Sequence, residues 1–304
     1  MSFSAQVKQE LCRAPLSRAC CARAEACGVL LYCHTFAPGE VRIITQSPAL
    51  KARLPLLFRK AFRVEFDALP TAAGEGKATF LLQSADKLGP VFNALDCDPA
   101  RLVAHHVNFA LLEEEHCRLA FLRGAFLAGG SVTDPAKRYH LELATSHGSV
   151  ARETQALMGE AGFEAKLTGR GSNGVLYFKK SEHIEDFLTA IGAPVAAMEI
   201  MNAKLEKDLV GRVNRRVNCD AANVDKSVAA AQAQIAAIAR LEERGALAAL
   251  PDKLREAARL RVDNPELTLS QLADLCDPPV TKSCFNHRLR KLTELAGEKP
   301  SALI

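Results

Sequence analysis

"LRGAFLAGGSVTDP", residues 122–135, decides the fold. It reads as a short apolar helix that runs into a Gly-Gly turn and a polar exit. Gly124, Ala125, Ala128 and Gly129 are crowded onto that helix. A glycine in a helix interior costs roughly 1 kcal/mol relative to alanine, so small residues at this density are expected where a second backbone comes very close. A matching helix lies upstream. "ARAEACGVLLYCHTF", residues 22–36, has the same texture, and aligning Gly28 with Gly124 sets the two 96 residues apart (124 − 28 = 96).

The segments after the two helices also correspond. "EVRIITQS" and "RYHLELATS" are strand-like alternations ending at Ser47 and Ser146. Each leads into a helical segment, "PALKARLPLLFRKAF" and "VARETQALMGEAGF". Then come "KATFLLQS" and "GVLYFKKS", each followed by a last helix, "KLGPVFNALD" and "HIEDFLTAIGA". This duplication is too long to be a solenoid unit. It predicts one pseudo-symmetric α+β domain over residues 1–200, with halves at about 1–98 and 115–195, in which Gly28 and Gly124 mark where one helix presses on the other.

Composition narrows the function classes. At 304 residues the chain is long enough for about two domains. Hydrophobic residues at 48% and charged ones at 24% exclude a largely disordered chain. With no Trp and three Tyr, stacking platforms for single-stranded nucleic acid are poorly supplied. A net charge of +4 permits a polyanionic partner without requiring one. "MSFSAQVKQELCRAP" has no apolar run and is not read as a signal peptide. No stretch reaches the roughly 18 apolar residues of a membrane span.

Ten cysteines are therefore read as reduced thiols of a cytoplasmic protein. Cys20, Cys21, Cys27, Cys33 and His34 fall within one short stretch, but structural zinc sites use one pair spaced two to four apart and then a second pair. The spacing does not fit. Cys20 and Cys27, seven apart on one helical face, are expected as small packing residues. No metal and no cofactor is expected.

Residues 201–226 change texture. "VNRRVNCDAANVDKS" is rich in Asn and Arg and poor in large apolar residues, as a connector would be. "VAAAQAQIAAIARLEERG" comes next as an Ala-rich helix with Val228, Ile235, Ile238 and Leu241 on one side and Gly245 as its stop. "LPDKLREAARLRVDN" opens a helix near Pro251 and closes it before Pro265.

In "LTLSQLADLCDPPVTKSCFNHRLRKLTELAGE", Thr268 and Gln271 form a capping-box signature for a short helix. A "DPP" turn and a longer helix from about Thr281 to Ala296 complete a helix-turn-helix pattern within an all-α domain, 227–304. Phe285, Leu289, Leu292 and Ala296 make its buried stripe. Lys282, Ser283, Asn286, His287 and Arg290 fall opposite, and these types read base edges and phosphates in a major groove.

The paired small-residue helices at the centre of a duplicated αββαβα domain resemble the LAGLIDADG homing-endonuclease fold. In that family each helix ends in an acidic residue that holds a divalent metal over the DNA. In "ACGVLLYCH" (26–34) the acidic position falls on Cys33, and in "LRGAFLAGG" (122–130) it falls on Gly129. Neither supplies the hard oxygen ligand that Mg²⁺ chemistry needs. These degenerate positions argue against the alternative, an active Mg-dependent homing endonuclease.

The order of parts resembles the WhiA family across essentially the whole chain, most specifically in "RGAFLAGGSVTDP", "RRVNCDAANVDKSV" and "KSCFNHRLRKL". The resemblance implies a non-enzymatic, sequence-specific regulator of transcription, linked to cell division, chromosome segregation or sporulation in bacteria. It implies double-stranded DNA as partner, with another transcription regulator or the transcription machinery as a further candidate partner. It also implies a nucleoid-associated cytoplasmic location, away from any membrane. Asn286 and Arg290 are the candidate base readers; Lys282, Ser283 and Arg288 are candidate phosphate contacts. Arg215 and Arg216 are candidate phosphate contacts from the connector, or residues that cap or solvate a linker helix.

Overall fold

The computed structural model describes residues 1–68, 76–100 and 102–297. It begins with α1 (Phe3–Leu11), α2 (Ala19–Tyr32), β1 (Thr35–Ala37), β2 (Glu40–Thr45), α3 (Pro48–Phe62), β3 (Ala78–Leu82) and α4 (Ala85–Ala94). The order then repeats as α5 (Glu115–Gly129), β4 (Gly130–Val132), β5 (Leu141–Thr145), α6 (Gly148–Glu160), β6 (Lys166–Arg170), β7 (Asn173–Phe178) and α7 (Ser181–Ile191). Local signals set the boundaries. Ser47 accepts a hydrogen bond from the Leu50 amide with Pro48 in the first turn of α3, and α7 stops at Gly192, whose φ of 105° is left-handed.

Both sheets are antiparallel, ordered β1-β2-β3 and β4-β5-β7-β6. Their registers pair Val41 with Leu82 and Ile43 with Phe80, and Leu141 with Phe178 and Leu143 with Leu176. Each sheet thereby turns one apolar face into a shared core.

The fold is the expected duplicated α+β domain followed by a helical one, with additions. Strand β6 is mostly exposed and lacks the alternation that would reveal it. Its counterpart 96 residues earlier (166 − 96 = 70) falls outside the described residues. Helix α1 buries Phe3, Val7 and Leu11, four residues apart on one face.

The seam between α2 and α5 is where the sequence locates it. A Cβ on Gly28 would lie 2.1 Å from the Phe121 carbonyl oxygen, and one on Gly124 would lie 2.0 Å from that of Glu25. The pairs are symmetric, since 25 and 28 become 121 and 124 on adding 96. The Glu25 carboxylate is buried here, and three donors meet it: Arg53 Nε at 2.6 Å, Arg53 Nη2 at 2.8 Å and Arg123 Nε at 3.0 Å. Arg53 also donates to the carbonyls of Cys12 and Ala14, and Arg123 to that of Ile191.

Helix α8 (Pro194–Glu243) carries the chain through the expected connector, which is helical throughout. Among its residues Ala196, Ala197 and Ile200 are buried near its start, and Ala237, Ile238 and Leu241 near its end. Val228, expected on the buried side, is exposed. The chain divides into two compact units, Met1–Asp208 and Leu209–Ile304. The second is completed by α9 (Asp252–Asp263), α10 (Leu269–Asp274) and α11 (Lys282–Leu295).

Cys20 corrects a second expectation. Cys27 is a buried packing residue, but Cys20 is exposed in the first turn of α2, before that helix enters the core.

The seam makes a direct prediction. A methyl group at Gly124 forces the two backbones apart, so Gly124→Ala is expected to cost about 1–3 kcal/mol and Gly124→Leu at least as much. Thermal melts of the full chain check this. An unchanged midpoint for Gly124→Leu would contradict the close approach.

Candidate nucleic-acid interface

Helix α10 is fixed at its start by the Thr268–Gln271 capping box. The Thr268 hydroxyl accepts from the Gln271 amide, and the Gln271 side chain accepts from the Thr268 amide. Buried Arg261 spans the preceding link, donating to the carbonyls of Pro265 at 3.3 Å and Leu267 at 3.0 Å. Burial lowers its pKa from the ordinary value. After the turn, Thr281 accepts from the Cys284 amide and starts α11.

The α11 stripe is buried as its spacing predicts: Phe285, Leu289, Leu292 and Ala296 join Leu272, Ala273 and Cys276 of the α10 segment and Ala257 and Ala258 of α9 in one core. The opposite face is open. Lys282, Ser283, His287 and Arg290 are exposed and Asn286 is half-buried. At 3.6 residues per turn these five fall within an arc of about 140°. Arg290 makes no ion pair with Glu294 among the described residues, which leaves its guanidinium available.

Arg288 departs from its expected role as a phosphate contact. Its side chain is only 12% exposed and lies on the boundary of the buried stripe, where Nη1 donates to Glu256 Oε2 at 3.1 Å. Glu256 Oε1 in turn accepts from the Asp277 amide at 2.9 Å. The pair therefore braces α9 against α11 and the turn. Sequence reasoning missed Glu256, 32 residues away, because nothing local announces the partner.

Arg215 and Arg216 are exposed on the middle of α8, one turn beyond Arg212 and on its face. Neither caps a helix end.

In the first unit, Cys33 is the residue just past α2 and Gly129 is the last of α5. The Cys33 thiol donates to the carbonyls of Leu30 at 3.2 Å and Thr35 at 3.1 Å, and burial pushes its pKa up to about 12. A Cβ on Gly129 would lie 2.4 Å from the Ala144 carbonyl oxygen and 2.9 Å from Tyr32 Cδ1. One position carries an inward-bonded neutral thiol, and the other has no room for a side chain.

Two family models match the chain: the WhiA LAGLIDADG-like domain over residues 118–210 and the WhiA C-terminal HTH domain over residues 213–296. A protein of Desulforudis audaxviator named probable cell division protein WhiA is 38% identical over 97% of both chains. One of the same name from Clostridium novyi is 35% identical over 98% of both. The chain belongs to the WhiA family. Its fold is shared by the solved full-length DUF199/WhiA from Thermatoga maritima, with a TM-score of 0.60 over 99% of this chain and 100% of that one, at 24% identity. The WhiA helix-turn-helix match covers α9, α10 and α11, so the open face of α11 belongs to that domain.

The two arginines of α11 are expected to separate in a stability measurement. Arg288→Ala leaves Glu256 without its partner and removes a charged hydrogen bond, at a cost of about 1.5–3 kcal/mol. Arg290→Ala alters an exposed face and stays within about 0.5 kcal/mol of the parent. Urea unfolding monitored by circular dichroism checks both; equal losses would contradict the inward placement of Arg288.

Proposed function

We propose that this WhiA-family chain is a sequence-specific, double-stranded DNA-binding regulator of transcription acting in cell division, chromosome segregation or sporulation, and that it does not cut DNA. The open face of α11 carries the reading. It combines a rigid buried stripe, a capped start and a run of polar and basic side chains on the side turned to solvent. Asn286 suits an adenine edge and Arg290 a guanine edge, each through two hydrogen bonds. Lys282 and Ser283 lie in the first turn, where the positive helix end favours phosphate, and His287 flanks them. Arg215 and Arg216 add phosphate contacts from α8.

The absence of cutting rests on Cys33 and Gly129, which offer no carboxylate at the two helix ends. On this reading residues 1–200 form a non-catalytic domain, 201–226 a helical connector and 227–304 the DNA-binding domain. Another regulator or the transcription machinery would meet the non-catalytic domain. No described helix is long and apolar enough to cross a membrane, which accords with a cytoplasmic place on the nucleoid.

The test compares a specific duplex, obtained by genome-wide immunoprecipitation, with a scrambled one at several salt concentrations. Arg290→Ala is expected to weaken the specific duplex by about 1–3 kcal/mol more than the scrambled one. Lys282→Ala is expected to weaken both alike and to reduce the log–log salt slope by about one. Equal loss on both duplexes for Arg290→Ala would remove it from the base readers. Metal-dependent cleavage of DNA by the purified chain would overturn the non-catalytic reading.

A further inference from the structure

The first turns of α2 and α5 bring together Cys20, Cys21, His116 and Cys117, whose ligand-capable atoms all lie within 4.8 Å of one another. The Nδ1 atom of His116 is 3.3 Å from Cys21 Sγ and 3.2 Å from Cys117 Sγ. All three cysteines are free thiols. We propose that these four side chains bind one Zn²⁺ ion that clamps the two halves of the duplicated domain together.

Three observations carry this. The donor set is three thiols and an imidazole, a soft combination that favours zinc and fills four tetrahedral positions without water. The separations fit a single ion. Zinc–sulfur distances of about 2.3 Å and zinc–nitrogen distances of about 2.0–2.1 Å hold tetrahedral ligand atoms about 3.5–3.8 Å apart. Placement is the third. Adding 96 to 20 and 21 gives 116 and 117, so the four ligands are symmetry-equivalent pairs at the end of the seam opposite Cys33 and Gly129.

The surroundings suit the charge. Three thiolates and Zn²⁺ carry a net −1, which the first-turn amides of two helices stabilise. A cleft of about 200 Å³ lined by Cys20, Arg23, Glu113, Glu114 and Cys117 opens the site to solvent and gives an ion access. This replaces the expectation of no metal, which weighed only the spacing within residues 20–34. The proposal does not depend on DNA binding.

The test uses the full chain, purified reduced. Elemental analysis is expected to find one zinc per chain, and Co²⁺ in its place is expected to give the visible bands of a tetrahedral ion with thiolate charge transfer. Cys21→Ser combined with Cys117→Ser is expected to lose both signals, while Cys219→Ser and Cys284→Ser, exposed thiols elsewhere, keep them.

Should the double variant fail to fold, alkylation of the parent chain decides. Zinc is expected to protect Cys20, Cys21 and Cys117 but not Cys219 or Cys284. A reduced chain that takes up no zinc or cobalt overturns the proposal. So does a folded double variant that keeps the metal, alkylation unaffected by zinc, or a disulfide among these cysteines that persists under reductant.

Discussion

The structure depends on one contact, the meeting of two backbones at Gly28 and Gly124. Each glycine leaves the place of its missing Cβ to a carbonyl oxygen of the other helix, Phe121 for one and Glu25 for the other. That closeness traps the Glu25 side chain in the core, where an unpaired carboxylate would be strongly destabilising. Arg53 from α3 and Arg123 from α5 neutralise it, and their remaining donors satisfy carbonyls at Cys12, Ala14 and Ile191. The seam thus recruits elements that touch neither glycine. The second sheet is tied to the same place: the Thr145 hydroxyl of β5 donates to the Leu31 carbonyl of α2 at 2.7 Å.

A seam of this kind has two ends, and they have different chemistry. At the C-terminal end, the space beside Gly129 is filled by Ala144 and Tyr32, and the Cys33 thiol is occupied by two carbonyls. At the N-terminal end, thiols and an imidazole face one another beside solvent. At the first end, neither Cys33 nor Gly129 carries the carboxylate that a hard divalent cation favours. The second has a soft, closed donor set, suited to holding structure together rather than to reaction.

Much of this is legible in the sequence because its causes are local. The segment that reads as a helix over 48–62 is helix Pro48–Phe62, since Ser47, Pro48 and the apolar spacing are signals carried by the segment itself. The duplicated order and the α10 capping box are readable for the same reason. Strand β6 is not, because a polar edge strand has no alternation to display. The helicity of residues 201–226 is hidden by an exposed surface that shows no buried stripe. Arg288 misleads because its partner Glu256 sits on another helix. The cysteines are the instructive case. Spacing within one helix argues against a metal, whereas the 96-residue offset that pairs Gly28 with Gly124 also pairs Cys20 and Cys21 with His116 and Cys117.

The open face of α11 also bounds the specificity that helix can reach alone. If Asn286 and Arg290 each read one base through two hydrogen bonds, direct readout contributes about 2–6 kcal/mol. Specific binding commonly exceeds non-specific binding by about 4–10 kcal/mol. Lys282, Ser283, Arg215 and Arg216, if they meet phosphates as proposed, do not supply the difference, because phosphate contacts raise affinity for every sequence alike. One α11 face therefore reaches at best the lower part of the range. Specificity beyond that would come from DNA deformability or from a second copy of the chain on a second half-site. A second copy doubles the base-reading set without any new residue, and it requires an operator with twofold symmetry. Dependence on deformability instead leaves sequence preference at positions that no side chain touches. The symmetry of the bound sites thus distinguishes the two sources of specificity.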